Sequence, residues 1–284
     1  MKKIKLGYLG PQGSFTNMAA LHVFEKNSLI DYVTIPDCFD ALMNKEVDYS
    51  IVPLENTLEG SVSLTIDSLF RSNDLKVVAE VVLPINQHLL MHPNQVHSEK
   101  IEKILSHSHA LAQCHHFLHQ NVKGASLLPT TSTSAAAEWV SQNPTSSSAA
   151  IGTDLAAKLY GLEVVKRNIH DSENNHTRFL IITLEKSVPK LTLTPTKVKS
   201  TIMVTLPTDR AGALHQVLSA FSWRQLNLSK IESRPLKTRL GDYFFIIDIE
   251  EEVENVLVQG ALQEIEAVGC KVKVVGSYSS YFIL

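Results

Sequence analysis

Apolar residues along the first 184 positions fall into two alternating rhythms. Short β-branched runs at Lys2–Leu9, Tyr32–Ile35 and Asp48–Leu54 predict strands. Between and after them, apolar spacings of three and four predict helices at Phe15–Phe24, Phe39–Asn44 and Val62–Phe70. Leu75–Met91 reads as one long or broken extended segment. Beyond it the pattern predicts helix Ala110–Gln120, strand Ser126–Pro129, helix Ser134–Ser141, strand Ala149–Ile151 and helix Leu155–Tyr160. Strands near Val164 and at Phe179–Leu184 follow. This alternation predicts parallel α/β layers, and its length suits two α/β lobes with a ligand cleft between them.

Glu185–Lys199 changes character, with Pro189, Pro195 and alternating threonines, and reads as a linker. A second pattern then begins. Thr201–Leu206 is a strand, and Gly212–Arg224 a helix with Leu214, Val217, Leu218 and Phe221 on one face. Leu228–Pro235 and Tyr243–Ile249 are strands separated by a turn at Arg239–Asp242. Val253–Val268 is a helix and Lys271–Gly276 a strand. The order βαββαβ predicts a ferredoxin-like α+β sandwich, whose free sheet face or edge commonly pairs with a second copy. The expected domains are 1–184, a linker 185–199, and 200–284.

Composition narrows the function classes. With 26 basic against 29 acidic side chains the net charge is −3, which argues against a nucleic-acid protein working through a basic face. The longest run without charge, Ile104–Val122, contains five histidines and is no membrane span. The N-terminal apolar stretch is broken by Gly7, Gly10, Pro11 and Gln12, too soon for a secretory core. Cys38, Cys114 and Cys270 form no CxxC, which fits a cytoplasmic protein.

Several segments carry candidate chemistry. Gly7-Tyr8-Leu9-Gly10-Pro11-Gln12-Gly13-Ser14-Phe15-Thr16 sits between the first strand and the first helix, where free backbone N–H groups beside glycines attract an anion; a plain strand-to-helix turn needs Gly and Ser anyway. Pro53-Leu54-Glu55-Asn56-Thr57-Leu58-Glu59-Gly60-Ser61-Val62 follows a strand immediately, where α/β proteins place their chemistry, with Glu55 a general acid or acceptor and Asn56 an orienting amide; the plain alternative is a surface acid and a turn residue. Asp171-Ser172-Glu173-Asn174-Asn175-His176-Thr177-Arg178-Phe179 gathers polar groups directly before an apolar strand; Arg178 suits a carboxylate and Thr177 a single hydrogen bond, unless this is a polar loop with a solvated arginine. His115 and His119 have zinc-compatible spacing, but without HExxH a polar helix face is the better reading.

Together these segments resemble the prephenate dehydratase family over nearly the whole chain. The resemblance is carried by Gly10–Phe15, Val52–Asn56, Ser106-His107 with Ala110–Cys114, Ser132–Ala136 and Asn174–Phe179. The tail resembles an ACT regulatory domain, through Gly212-Ala213-Leu214-His215-Gln216-Val217-Leu218 and Glu232-Ser233-Arg234-Pro235. The resemblance implies a catalytic domain like type II periplasmic binding proteins. It also implies conversion of prephenate to phenylpyruvate with loss of carbon dioxide and hydroxide, without a cofactor, because aromatisation supplies the driving force. The family's essential threonine matches Thr177, expected to donate a hydrogen bond to the departing oxygen, with Glu55 as proton relay. Asn56, Ser106 and Gln113 match polar cleft residues, Arg178 and Ser14 are expected to hold the two carboxylates, Ser132 and Thr133 are further anion groups, and Phe179 is a wall.

Two positions depart from the pattern. Ser108-His109 stands where the family often has Pro-Gln, which bears on the placement of Ser106, and Ser14 stands where Thr is more usual. The ACT signatures imply feedback by L-phenylalanine between two ACT domains of a homodimer or homotetramer. The effector groups would be Gly212, Ala213, Leu214, Leu218, Asn227, Leu228, Glu232, Ser233, Arg234 and Pro235. No chorismate mutase module precedes Gly7, so a monofunctional enzyme is expected. Arogenate dehydratase and a non-catalytic amino-acid sensor are the alternatives.

Overall fold

A computed structural model describes residues 4–24, 28–98, 100–185, 191, 193–207, 211–237 and 242–283. Residues 2 and 3 of the first expected strand, 186–190 and 192 of the expected linker, and 239–241 of the expected turn lie outside that set. In chain order the first elements are β1 (Leu6–Leu9), α1 (Phe15–Val23), β2 (Leu29–Tyr32), α2 (Ile35–Met43), β3 (Tyr49–Asn56), β4 (Gly60–Ser61), α3 (Ser63–Arg71) and β5 (Lys76–Pro84). Then come β6 (His88–Met91), β7 (Lys103–Ser106), α4 (Ser108–Gln113), α5 (His115–Asn121), β8 (Ser126–Pro129), α6 (Thr133–Gln142), β9 (Ser148–Gly152), α7 (Asp154–Tyr160), β10 (Glu163–Lys166) and β11 (His176–Thr183). The last are β12 (Lys197–Thr205), α8 (Ala213–Ser222), β13 (Leu228–Pro235), β14 (Tyr243–Ile249), α9 (Val256–Ala267) and β15 (Lys271–Phe282).

These form two compact units, one of residues up to Thr65, Val82–Phe179 and Ile283, the other of Ile66–Val81 and Leu180–Phe282. In the first unit, β1 pairs in parallel with both β2 and β3. A five-stranded sheet runs β10-β6-β9-β7-β8, with β7 parallel to its neighbours and β6 antiparallel to β9 and β10. On one of its faces Ala136, Ala137, Ala156 and Ala157 let α6 and α7 approach closely; on the other, Ala110, Leu111, Cys114 and Leu118 seat α4 and α5. The single helix expected over Ala110–Gln120 is therefore two, broken at Cys114, whose φ of −113° and ψ of 18° are not helical.

The second unit contains an antiparallel sheet in the order β13-β14-β12-β15, with α8 and α9 on one face over Ile202, Val204, Ile247 and Ile249. This is the expected βαββαβ order, with β12 starting at Lys197, inside the expected linker, and β15 running six residues past Gly276 to Phe282. The face opposite α8 and α9 carries α3. The Phe70 ring stacks on Phe244 at 4.1 Å, and Lys273 Nζ donates to the carbonyls of Leu69, Phe70 and Ser72 at 2.7, 2.9 and 2.6 Å. A helix end leaves its last carbonyls without partners, so this ammonium caps α3. Burial, with Lys76 nearby, lowers the Lys273 pKa from its usual range. The sheet face expected to seek a second copy is thus covered by residues 66–81 of the same chain.

Lys273→Met removes a charged donor from three carbonyls at once. It is expected to lower stability by about 2 kcal/mol, read as a drop in urea midpoint with the m value unchanged. An unaltered midpoint would mean that the cap contributes nothing.

Candidate active site

The Gly10–Ser14 loop meets the N-termini of two other helices. Gly13 has φ of +81°, and a Cβ there would lie 2.8 Å from Ser134 Oγ and 3.2 Å from Ala156, so only glycine fits. Ser134 Oγ donates to the Gln12 carbonyl, and Thr153 Oγ1 donates to the Gly13 carbonyl at 2.7 Å. Ser14, Ser132 and Thr153 are the N-caps of α1, α6 and α7, each hydroxyl accepting a backbone N–H. Three helix N-termini with positive dipole ends converge here, with Thr133 opening α6.

A second cluster begins at the end of β3. Asn56 Oδ1 accepts from the N–H groups of Leu58 and Glu59 at 2.9 and 3.1 Å, which fixes the orientation of its amide. Its Nδ2 therefore faces Asn175 Oδ1 at 2.7 Å, Thr177 Oγ1 at 2.9 Å and the His176 carbonyl at 3.1 Å. Asn175 Nδ2 donates to Gln113 Oε1, and Gln113 Nε2 to Glu59 Oε1, both at 3.1 Å. Glu59, Asn56, Asn175 and Gln113 thus close a ring of hydrogen bonds in which every donor meets an acceptor. His109 Nδ1 lies 3.4 Å from Glu59 Oε2 on the outer side. Thr177 is 8% exposed and Asn175 2%, so the inner part of the ring is screened from water.

Glu55 and Arg178 form a separate pair, Nη1 donating to Oε2 at 2.8 Å. Adjacent strand positions project to opposite faces, so this pair does not share a wall with Asn56 and Thr177. Glu55, expected as the proton relay, is thus engaged by Arg178 in this arrangement, apart from the Asn56–Thr177 bond. Ser106 is fully buried and donates to the Ile151 carbonyl at 2.7 Å, and Phe179, 1% exposed, packs in the core. Asn175 and Glu59 were missed in sequence, although both sit inside segments already singled out.

In the second unit Gly212 caps α8 with φ of +83° and no side-chain bond, and open space lies beside it. Ala213 is buried and Leu214 and Leu218 are partly so. Asn227 Nδ2 donates to Glu250 Oε2 at 2.6 Å, and Leu228 opens β13. On β13, Glu232 and Arg234 are partly buried, while Ser233 and Pro235 are exposed. His115 and His119 have ring centroids 6.1 Å apart, and no group of three or more metal-type side chains converges among the described residues.

A two-lobed α/β domain followed by a small α+β regulatory-type domain is the class that this architecture defines. Residues 6–187 match the prephenate dehydratase family and residues 200–267 the ACT domain. A prephenate dehydratase of Bacillus subtilis is 51% identical over 98% of this chain and 99% of its own length. The crystal structure of an Arthrobacter aurescens prephenate dehydratase in complex with L-Phe superposes with a TM-score of 0.85 at 31% identity, over 97% of this chain and 90% of that one. A quorum-quenching acylase, 23% identical, shares the fold alone, with a TM-score of 0.83 over 97% of each chain. The chain belongs to the prephenate dehydratase family, and its fold is the type II periplasmic-binding-protein-like one with a C-terminal ACT domain.

Two histidines near these segments set a pH dependence. Burial lowers the pKa of His88 below the ordinary 6.5, with Asp154 opposing and Arg167 and His170 adding to the effect; His88 Nδ1 accepts the Asn168 N–H at 3.0 Å. His107 is lowered by burial and by His109, against Glu59. The unfolded chain therefore takes up these protons first, so stability is whole above 6.5 and falls as pH drops through it. Denaturant midpoints measured between pH 7.5 and 5.5 should decline, and His88→Gln should flatten the decline. A midpoint constant over that range would contradict the assignment.

Proposed function

We propose that the protein is a prephenate dehydratase, a carbon–oxygen lyase of the cytoplasm that converts prephenate to phenylpyruvate. The single observation that carries the reading is the bond from Asn56 Nδ2 to Thr177 Oγ1 at 2.9 Å. A hydroxyl has one hydrogen and two lone pairs. With a lone pair engaged by Asn56, the Thr177 hydrogen is available to the oxygen that leaves the ring.

The step balances without an oxidant. The electron pair of the bond to the ring carboxylate enters the ring as carbon dioxide departs, and the carbon–oxygen bond breaks to release hydroxide. Thr177 donates a hydrogen bond to that oxygen as charge grows on it, the kind of stabilisation worth most in a site screened from water. Hydroxide then takes its proton from solvent, and no acid role for Glu55 is required. The helix N-termini at Ser14, Ser132 and Thr133 are assigned the substrate's carboxylate end. Arg178 meets a carboxylate only by exchanging it for Glu55. Asn56 and Gln113 hold the donor in place, and Ser106 and Phe179 support the frame.

L-phenylalanine is the proposed feedback effector. The reading is supported by the ligand of the Arthrobacter aurescens relative and by the uncapped α8 N-terminus beside Gly212, where an α-carboxylate can approach backbone N–H groups. Strand β13 ends its sheet and offers an edge for pairing with a second copy as a homodimer or homotetramer.

Phenylpyruvate formation from prephenate, followed with and without phenylalanine, tests the reading. Thr177→Ala should lower kcat by about 100-fold or more with the fold retained, and Thr177→Ser should recover much of it. Turnover by Thr177→Ala close to that of the unsubstituted protein would sink the assignment.

A further inference from the structure

Helix α3 is tied at one end to the catalytic hairpin and at the other to the proposed effector segment. At its start, Thr65, fully buried, donates through Oγ1 to the Pro53 carbonyl at 2.6 Å, and the Val62 N–H donates to the Leu54 carbonyl at 2.8 Å. Glu55 pairs with Ser61, and Asn56 with Gly60, across β3 and β4. The residue that orients Thr177 is therefore in the same hydrogen-bonded hairpin that leads into α3. Further along, Asp67 accepts from Lys237 Nζ at 2.5 Å and from Arg234 Nη2 at 3.3 Å. Arg234 belongs to the Glu232-Ser233-Arg234-Pro235 segment, and the family resemblance gave Asp67 no part.

The Arg234 side chain is not fully satisfied in this arrangement. Its bond to Asp67 is long, its Nε is buried without a partner, and its Nη1 is 4.0 Å from Glu232, which also meets Lys230 at 3.0 Å. A buried guanidinium donor without an acceptor is costly, so Arg234 has a second arrangement to gain from, turned towards Glu232. An effector that touches Glu232–Pro235 and prefers one arrangement over the other alters the hold on Asp67. Burial alone would raise the Asp67 pKa; the bonds from Lys237 and Arg234 outweigh it and keep the group an anion.

Resting on the feedback reading above, we propose that Asp67 is the positioning residue through which phenylalanine bound near Glu232–Pro235 acts on the Asn56 hairpin, by the exchange of Arg234 between Asp67 and Glu232. Coupling of this kind is a differential free energy, separable from binding itself. The two quantities can therefore be measured apart.

Asp67→Asn keeps the shape and removes the charge. Effector affinity is read by calorimetry with L-phenylalanine, and inhibition by prephenate turnover, on the full-length chain. The substituted protein should bind phenylalanine within about threefold of the original and keep its effector-free kcat and KM within about twofold, while the phenylalanine concentration for half inhibition rises by about tenfold or more. Lys237→Gln, at a side chain about half exposed, should shift inhibition in the same direction by a smaller factor. Unchanged inhibition in both variants would overturn the proposal. So would parallel loss of binding and inhibition, which would make Asp67 part of the effector pocket. Failure of the unsubstituted protein to respond to phenylalanine would overturn the feedback reading, and this with it, and is seen before any variant is made.

Discussion

One side-chain amide constrains the site. Asn56 has two N–H hydrogens and faces three acceptors, while its oxygen takes two backbone N–H groups from the turn that follows it. Neither end can be reversed without leaving donors opposed to donors. That polarity passes through Asn175 and Gln113 to Glu59, and it decides which lone pair of Thr177 is occupied and where its hydrogen can go. Buried networks of this kind strengthen when complete and are costly when one member is lost.

The anion end of the site depends on a different constraint, the absence of a side chain at Gly13. Its backbone conformation and its closeness to Ser134 and Ala156 bring the first loop onto the starts of α6 and α7. A quorum-quenching acylase shares this fold, so the architecture does not select the reaction. The proposed reaction therefore rests on the groups held within the fold, above all a hydroxyl oriented by a fixed amide.

Much of this was legible in the order of residues. The alternation of strands and helices predicted two α/β lobes, and the βαββαβ order of the tail stands as read, because both patterns are local. Thr177 and Asn56 were singled out from polar segments at strand ends, yet their contact joins residues 121 positions apart and has no local period. Asn175 was hidden for the same reason, since its value lies in bridging Asn56 and Gln113. The allegiance of α3 was also illegible: Val62–Phe70 reads as one more helix of the first domain, while Lys273, Phe244, Arg234 and Lys237, all distant in sequence, hold it to the second unit's sheet. The burial of Ser106 shows the reverse case, a family motif residue whose hydroxyl is spent on a neighbouring carbonyl.

The central claim is that Asn56 must donate to Thr177 so that Thr177 can donate to the leaving oxygen. Asn56→Asp tests it most directly, because an ionised carboxylate of the same shape only accepts hydrogen bonds and would draw the Thr177 hydrogen to itself. The account predicts a kcat for prephenate lowered by about 100-fold or more, with KM and the unfolding midpoint changed far less. A kcat within about twofold of the unsubstituted protein would show that the direction of that bond does not matter, and the account would fail.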